Sequence, residues 1–479
     1  MLDRHKIARN RNKSYADILI LVILIAPFII ISVFNHPLGD DYWITSMVRK
    51  DGFIQAQKML YDTVSARFML LTITSLSPLT FGNFWLYKLI PILFIIVFIL
   101  VFAFLLHTIF GEKSNKRDNY FLSACFTTVY LNVMPGPGEG IYWFSSLVAY
   151  QVATIIFVLW IANIFRLYNR NTGAGPAAAY ILLFIVLHGF NEPLALITSI
   201  LNGLILMFRF PKKKGFTIPL ICLVLSLPLW YYLLAAPSFN YRYVSTVKPG
   251  SGQFIKSFWF SIRLAIYHVG KSLINPVFWV CTILAARSVL SLWPKQFQAP
   301  AIRLPSAGQV IFYCLTSMFL IGFVSSYYSP SHVVSLRLTN MIIFVFLSGL
   351  LYLALFYMPK NQQFPLFKKL NLYYKYKYPA VFCLILASLL FENNFTRTSK
   401  DLMSGAASGY DMEMKNRYQL LKTCIGDTCT VPSLQNRPAS IRYSGFDNDI
   451  HIGEYFNKTI LYTGNQDFNP PLQINKTPL

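Results

Sequence analysis

Eleven apolar segments run through this chain, separated by polar loops of unequal length. Most of them approach the roughly 20 residues that a helix needs to cross a bilayer, and the rest, of 15 or 16 residues, are shorter. Lipid offers the backbone no hydrogen-bond partners, so such segments must satisfy their own peptide groups as helices. The sequence therefore predicts an all-α polytopic membrane protein with about 11 transmembrane helices. The predicted segments are 17–34, 87–109, 119–134, 144–165, 176–190, 193–208, 216–235, 272–290, 309–328, 338–358 and 378–392.

Composition agrees with this class. The chain has 479 residues, of which 55% are hydrophobic and only 13% charged, which is too much apolar surface for a soluble core. Segment 17–34 is long for a signal peptide and lacks a small-residue cleavage site, so we expect it to be retained as the first span. The apolar stretch 67–82 is the hardest to interpret, and we expect an interfacial or re-entrant helix there.

Basic residues predict the orientation. With eleven spans, the N-terminus and the loops 110–118, 166–175, 209–215, 287–308 and 359–377 share one side, which holds 22 of the 42 Lys and Arg residues but only 3 of the 19 Asp and Glu residues. Short basic loops stay in the cytoplasm. We therefore expect an integral membrane protein with a cytoplasmic N-terminus and an extracytoplasmic C-terminus.

The surplus of basic residues also bears on partners. A net charge of +23 is explained largely by these topology signals, so nucleic-acid binding is not expected, whereas contact with anionic membrane lipids is. Residues 1–392 form the predicted transmembrane domain, and the polar tail 393–479 a small extracytoplasmic domain. In that tail Cys424 and Cys429 are spaced for a local disulfide, which the compartment would permit.

The first outer loop, 35–86 (loop one), opens with the acid pair Asp40-Asp41 close to the end of a span. Charge is costly near lipid, which makes the pair a candidate reaction centre. The alternative is that the acids only cap the helix that follows. Two acids can also bind a divalent metal, but no further oxygen ligands cluster with them, so we predict no metal or other cofactor, without excluding a divalent metal.

The other outer loops carry candidate substrate-binding residues. Loop two (135–143) contains Glu139, Tyr142 and Trp143, and loop three (188–193) contains Glu192. Each has a structural alternative, since the acids can complete turns and the aromatic residues can belong to an interfacial belt. The remaining candidates, whose arginines can instead reach for water along the membrane edge, are Arg67, Arg242, His332 and Arg337.

These motifs resemble the GT-C superfamily of glycosyltransferases that use polyprenyl-phosphate sugars, most closely its bacterial DUF6056/GtrII-like branch. Gly39-Asp40-Asp41-Tyr42 and Glu139-Gly140-Ile141-Tyr142-Trp143 match well. Ser65-Ala66-Arg67 keeps the arginine but has Ala where the family tends to have Gly. Arg242 follows an Ala-Pro motif with altered spacing, and Arg337 lies where a late arginine is expected.

The resemblance implies an integral protein of the bacterial inner (cell) membrane and an inverting transfer on its outer face. A sugar would move from a polyprenyl-phosphate donor to an acceptor glycan or glycolipid, with Asp40 or Asp41 as general base and arginines holding the departing phosphate. A polymerase or ligase of lipid-linked glycans is an alternative that would not need the acid pair. A transporter or lipid flippase is an alternative of another class, but it would place ionisable residues within the spans, where acids are rare here.

Overall fold

Helices make up most of the protein in this computed structural model. It describes residues 2–111, 114–169, 174–209, 217–239, 252–292, 305–327, 334–357, 370–441 and 450–463.

The helices of the membrane region are α1 Leu2–Ile31, α2 Asp40–Asp51, α3 Phe53–Thr63, α4 Phe68–Ser75, α5 Phe84–Phe110, α6 Lys116–Val133, α7 Phe144–Ser146, α8 Ala153–Asn169, α9 Ala174–His188, α10 Glu192–Arg209, α11 Thr217–Leu234, α12 Phe254–Ile274, α13 Pro276–Leu292, α14 Ala307–Tyr327, α15 Leu336–Phe356 and α16 Leu370–Leu390. Two 3₁₀ turns, Ser32–Phe34 and Pro78–Phe81, and two π-helical turns, Gly138–Tyr142 and Leu147–Val152, join some of them. The C-terminal region holds α17 Asn394–Met403, α18 Ala406–Thr423, β1 Thr428–Pro432, α19 His451–Phe456 and β2 Thr459–Thr463.

Six helices of the described residues are long and apolar enough to cross a membrane, and the number rises to eight if two sharply bent helix pairs each count as one span. This confirms the expected helical membrane protein. Each of the eleven predicted segments lies mainly on a helix, but α9 and α10 are short, so the number eleven stays a prediction. The apolar stretch 67–82 forms only a short helix followed by a 3₁₀ turn.

A long helix precedes the predicted segment 272–290. That segment begins in the last turn of the 21-residue helix α12, which is bent by 66° against α13. The bend lies at Asn275, whose side-chain oxygen accepts a hydrogen bond from the Val277 N–H at 3.0 Å. Pro276 then starts α13, at a helix position where its missing N–H is not needed.

Aromatic packing joins the central spans. Phe98 on α5 stacks on Tyr130 of α6 with ring centroids 5.5 Å apart, and Phe102 stacks on Phe126 at 4.3 Å. Phe344 of α15 meets these rings edge-on. Such ring pairs add to the stabilisation that comes from burial alone. The helices that carry loops one and two are thereby fixed relative to α15.

A cavity of about 460 Å³ lies between α5, α8, α10, α14 and α15. Its lining is mainly hydrophobic and includes Phe102, Ile161, Leu201, Leu320 and Phe344. A space of this size and character suits an apolar chain better than a polar solute.

The first and last spans are paired by charge. Lys377 of α16 donates to the Asp17 carboxylate of α1 at 2.6 Å, and the Tyr378 hydroxyl donates to its other oxygen at 3.2 Å. Both charged side chains are buried. A buried charge needs such a partner, and this ion pair joins α16 to α1.

The C-terminal region packs directly onto the membrane region. β1 and β2 form a two-stranded parallel sheet, and Cys424 and Cys429 are joined in the predicted disulfide. α17 contacts α1, while α19 contacts α2 of loop one. Buried residues of this region belong to the same hydrophobic core as the spans. The boundary at residue 393 therefore stays a prediction.

Candidate functional site

The acid pair lies in the first turn of α2. The helix begins at Asp40, directly after Gly39, whose φ of +46° is a conformation that side chains with a Cβ rarely adopt. Neither acid caps the helix through its own side chain in the way that the sequence alternative supposed, since the position before the helix is the glycine. Two carboxylates in a first turn are favoured by the helix dipole.

Asp41 is buried and fully engaged by hydrogen bonds. One carboxylate oxygen accepts from the Ser145 N–H at 2.9 Å and from the Ser145 hydroxyl at 2.5 Å. The other accepts from the Tyr87 hydroxyl at 2.6 Å and the Leu38 N–H at 3.3 Å. Burial raises the pKa of Asp41 to about 6, although these hydrogen bonds favour the ionised form. Asp41 therefore ties loop one to α5 and to α7.

Asp40 has the opposite surroundings. Its side chain is partly exposed, and within the described residues no hydrogen bond or ion pair engages its carboxylate. The two acids, which the sequence alone does not separate, thus differ sharply. Asp41 is a structural acceptor, whereas Asp40 presents a carboxylate that is available to another molecule.

Loop two docks onto the start of α15. The side chain of Asn340 accepts from the Gly136 N–H and donates to the Gly136 carbonyl, each at 3.0 Å. A Cβ at Gly136 would come within 2.6 Å of the Leu336 Cβ, so only glycine permits this approach. The contact brings the neighbouring residue Arg337 beside loop two.

Arg337 lies against two aromatic rings. Its guanidinium carbon is 5.0 Å from the centre of the Trp143 ring and 5.7 Å from that of Tyr150, within the range of cation–π attraction. Its Nε donates to the Ser335 hydroxyl at 3.4 Å. In the part of the chain that the structure describes, its terminal nitrogens have no acceptor and the guanidinium forms no ion pair.

Glu139 is buried next to this arginine. Its carboxylate accepts from the Arg337 backbone N–H at 3.3 Å. Burial raises the pKa of Glu139, and the positive charge of Arg337 only partly opposes this effect. The Glu139 carboxylate thus binds the backbone of the first turn of α15.

Arg67 and Glu192, both predicted to bind substrate, form an ion pair with each other. The Arg67 guanidinium donates three hydrogen bonds of 2.5 to 3.0 Å to the Glu192 carboxylate. Burial alone would lower the pKa of Arg67, but the charges and hydrogen bonds of Glu192 and Tyr150 raise it above its usual value. Tyr150 therefore interacts with both arginines.

Loop three completes the arrangement. The Gly189 carbonyl accepts from the Met69 and Leu70 N–H groups at 2.9 and 3.1 Å, at the first turn of α4. The Asn191 side chain donates to the Ala149 carbonyl at 2.7 Å. Loops one, two and three thus meet around the segment that runs from Trp143 to Tyr150.

One predicted residue lies away from the site, and two are not described. Tyr142 is fully buried, and its hydroxyl donates to the Phe28 carbonyl of α1 at 2.8 Å, so the substrate contact predicted for it does not fit this position. Arg242 and His332 lie outside the described residues.

Sequence reasoning missed several residues that build the site. Tyr87 and Ser145 hold Asp41, and Tyr150 lies between the two arginines. All three are common residue types inside or beside apolar segments. Their roles depend on which helices meet, and the sequence contains no local signal for that.

Among the described residues, no three His, Cys, Asp or Glu side chains are grouped so that they would hold a metal ion. Comparison with known proteins finds no matching family model and no similar curated protein.

The two acids should differ in their effect on stability. Asp41→Ala leaves buried donors of Ser145, Tyr87 and Leu38 without an acceptor, and each such loss typically costs about 1–3 kcal/mol. Asp40→Ala removes only a favourable helix-dipole charge, worth about 0.3–1 kcal/mol. Thermal unfolding of the purified variants in detergent should show a large loss for Asp41→Ala only. Equal losses would contradict the structural role of Asp41.

Proposed function

We propose that this protein is a membrane glycosyltransferase that moves a sugar from a polyprenyl-phosphate donor to an acceptor glycan or glycolipid. The observation that carries the proposal is the selective pairing of charges at the site. Asp41, Arg67, Glu139 and Glu192 have protein partners, whereas Asp40 and the guanidinium of Arg337 are left available. A carboxylate and a guanidinium are the groups that this transfer needs.

The apolar cavity supports a lipid-linked donor. Thr154, Leu194 and Met341 line the cavity. Each lies within about one helical turn of a residue at the site, and these residues are Tyr150, Glu192 and Arg337 respectively. A phosphate held at Arg337 would therefore have its hydrocarbon chain next to a hydrophobic space. Amphiphiles of this kind are recognised by one charged and one apolar region together.

The reaction would proceed by direct displacement. Asp40 would take the proton of the acceptor hydroxyl, whose oxygen then attacks the anomeric carbon from the face opposite the phosphate. A new glycosidic bond forms as the bond from the anomeric carbon to the phosphate oxygen breaks, and the configuration inverts. Arg337 would stabilise the charge that develops on the departing lipid phosphate. Trp143 and Tyr150 would hold the guanidinium in place for this task.

The proposal includes the finer topology. The eleven spans would comprise the six long helices together with α6, α9, α10, α13 and α16, so that the N-terminus is cytoplasmic and residues 393–479 are extracytoplasmic. The basic residues of the short loops support this orientation. The disulfide between Cys424 and Cys429 supports an oxidising compartment for the tail, as expected outside the cytoplasm of a bacterium.

A transporter is a weaker reading of the same structure. Such proteins place ionisable residues at mid-span, often on broken helices. Here the buried pair of Asp17 and Lys377 lies near the predicted cytoplasmic ends of α1 and α16, and its members neutralise each other. Its position fits a role in helix packing.

Transfer itself is the first test. Purified protein is incubated with a panel of polyprenyl-phosphate sugars and candidate acceptors, with and without a chelator of divalent cations, and both product and released lipid phosphate are measured. We expect transfer by the wild type and a loss of about 100- to 10,000-fold in Asp40→Asn, as is typical for a general base. Asp51→Asn, at the other end of α2, is the matched control and should stay near wild type. Normal turnover in Asp40→Asn would contradict its assignment as the base.

The second test concerns the phosphate. Lysine keeps the charge of arginine but loses its two-pronged, planar hydrogen bonding. Arg337→Lys should therefore raise the KM for the donor substantially, and Arg337→Ala should raise it further, while the KM for the acceptor changes little. Arg49→Lys serves as the control, because Arg49 lies in loop one and not beside Arg337. A change confined to the acceptor KM would show that Arg337 does not hold the donor phosphate.

A further inference from the structure

The C-terminal helix α18 forms a buried polar network with the segment that leads into the acid pair. His36, four residues before Asp40, is 1% exposed, and both of its ring nitrogens have partners on α18. Nε2 lies 3.0 Å from the Asp411 carboxylate, and Nδ1 lies 2.9 Å from the Tyr418 hydroxyl. The ring also meets Tyr410 edge-on.

The directions of these hydrogen bonds follow from charge. Burial lowers the pKa of His36 to about 4, so the ring is neutral at pH 7. A carboxylate can only accept, so Nε2–H donates to Asp411 and Nδ1 accepts from the Tyr418 hydroxyl. The Tyr42 hydroxyl, 2.7 Å from that of Tyr418, then acts as the donor in the next bond. The hydrogen bonds of the network therefore all point the same way, from Tyr42 through Tyr418 and His36 to Asp411.

Asp411 also forms ion pairs with two lysines, one of which belongs to the membrane region. It accepts hydrogen bonds from Lys88 of α5 and from Lys415, the latter at 2.6 Å. Burial would raise the pKa of Asp411, but the hydrogen bonds from His36, Lys415 and Lys88 hold it well below its usual range. Lys88 also donates to the Val33 carbonyl at 2.7 Å, next to the end of α1. One carboxylate thus joins α18 to both spans that flank loop one.

These contacts bracket the acid pair. His36 precedes Asp40 by four residues, and Tyr42 directly follows Asp41. Both are bonded to Tyr418, a residue more than 370 positions away in the chain. Lys88 is adjacent to Tyr87, which holds Asp41 from the other side. The segment 36–42 therefore owes its conformation to α18 as well as to its own helix.

We propose that α18 positions the acids of loop one, with Tyr418 and Asp411 as positioning residues that act through His36 and Tyr42. The inference rests on the proposed function for its catalytic meaning, because it assigns the C-terminal region the task of aiming the Asp40 carboxylate. Neither residue would touch substrate. Substitution of Tyr418 or Asp411 would retain both acids but leave the Asp40 carboxylate less well oriented.

Tyr418→Phe is the most informative variant. It removes two hydrogen bonds while retaining the ring, which packs 4.8 Å from Phe84 between ring centroids. Asp411→Asn is a harsher second variant, because it leaves Lys88 buried without a counter-charge. The matched control is Glu413→Gln on the same helix, since Glu413 binds Gln435 and Asn436 within the C-terminal region and has no described contact with loop one.

Hydrogen exchange of the full-length protein gives a readout that does not depend on activity. The amides of Asp41, Tyr42 and Trp43 bond to the carbonyls of Leu38 and Gly39 at 2.9 to 3.1 Å. We expect these amides to exchange faster in Tyr418→Phe and Asp411→Asn than in the wild type, and unchanged in Glu413→Gln. Unchanged exchange in Tyr418→Phe would overturn the inference.

Kinetics separates the inference from the proposed function. A misplaced base should lower kcat by about 10- to 100-fold with little change in the donor KM, because positioning errors of about 1 Å have effects of this size. If the wild type transfers sugar and Tyr418→Phe has the same kcat as Glu413→Gln, the inference fails and the function stands. If the wild type transfers nothing but exchange rises as expected, the proposed function fails and the positioning by α18 stands.

Discussion

The buried carboxylate of Asp41 is the interaction on which the site depends. It accepts hydrogen bonds from loop one itself, from α5 through Tyr87 and from α7 through Ser145. These elements are distant in sequence, and in a low-dielectric environment each donor would be costly to leave unsatisfied. This side chain therefore joins loop one to the start of α7, directly after loop two. Because Asp40 is the neighbouring residue, this contact also positions Asp40.

The other charges of the site follow a consistent pattern. Arg67 is neutralised by Glu192, and Glu139 is used by the backbone of Arg337. The first contact joins loop one to loop three, and the second joins loop two to the start of α15. The guanidinium of Arg337 is held by aromatic faces instead, which orient it without neutralising it. The site thus combines a framework of paired charges with one available carboxylate and one available guanidinium.

Much of the helical framework could be predicted from the sequence, because apolar runs have few alternatives in a membrane. The spacing of Cys424 and Cys429 allowed the local disulfide that the structure has. The different surroundings of Asp40 and Asp41 could not be predicted, because they depend on Tyr87 and Ser145, which no motif marks. The same is true of Tyr142, which was predicted to bind substrate but is buried with its hydroxyl hydrogen-bonded to α1. Contacts between distant helices decide such roles.

The most direct test of the account is to locate the bound lipid on the protein and to ask whether its binding depends on the phosphate. A polyprenyl phosphate that carries a photoreactive diazirine in its chain is cross-linked to the wild-type protein, and the labelled peptides are identified by mass spectrometry. The account predicts labelling of α5, α8, α10, α14 and α15 around the cavity. Unlabelled polyprenyl phosphate should suppress this labelling, and a polyprenol of the same length should suppress it far less. Labelling confined to other helices, or equal competition by the alcohol, would contradict the account.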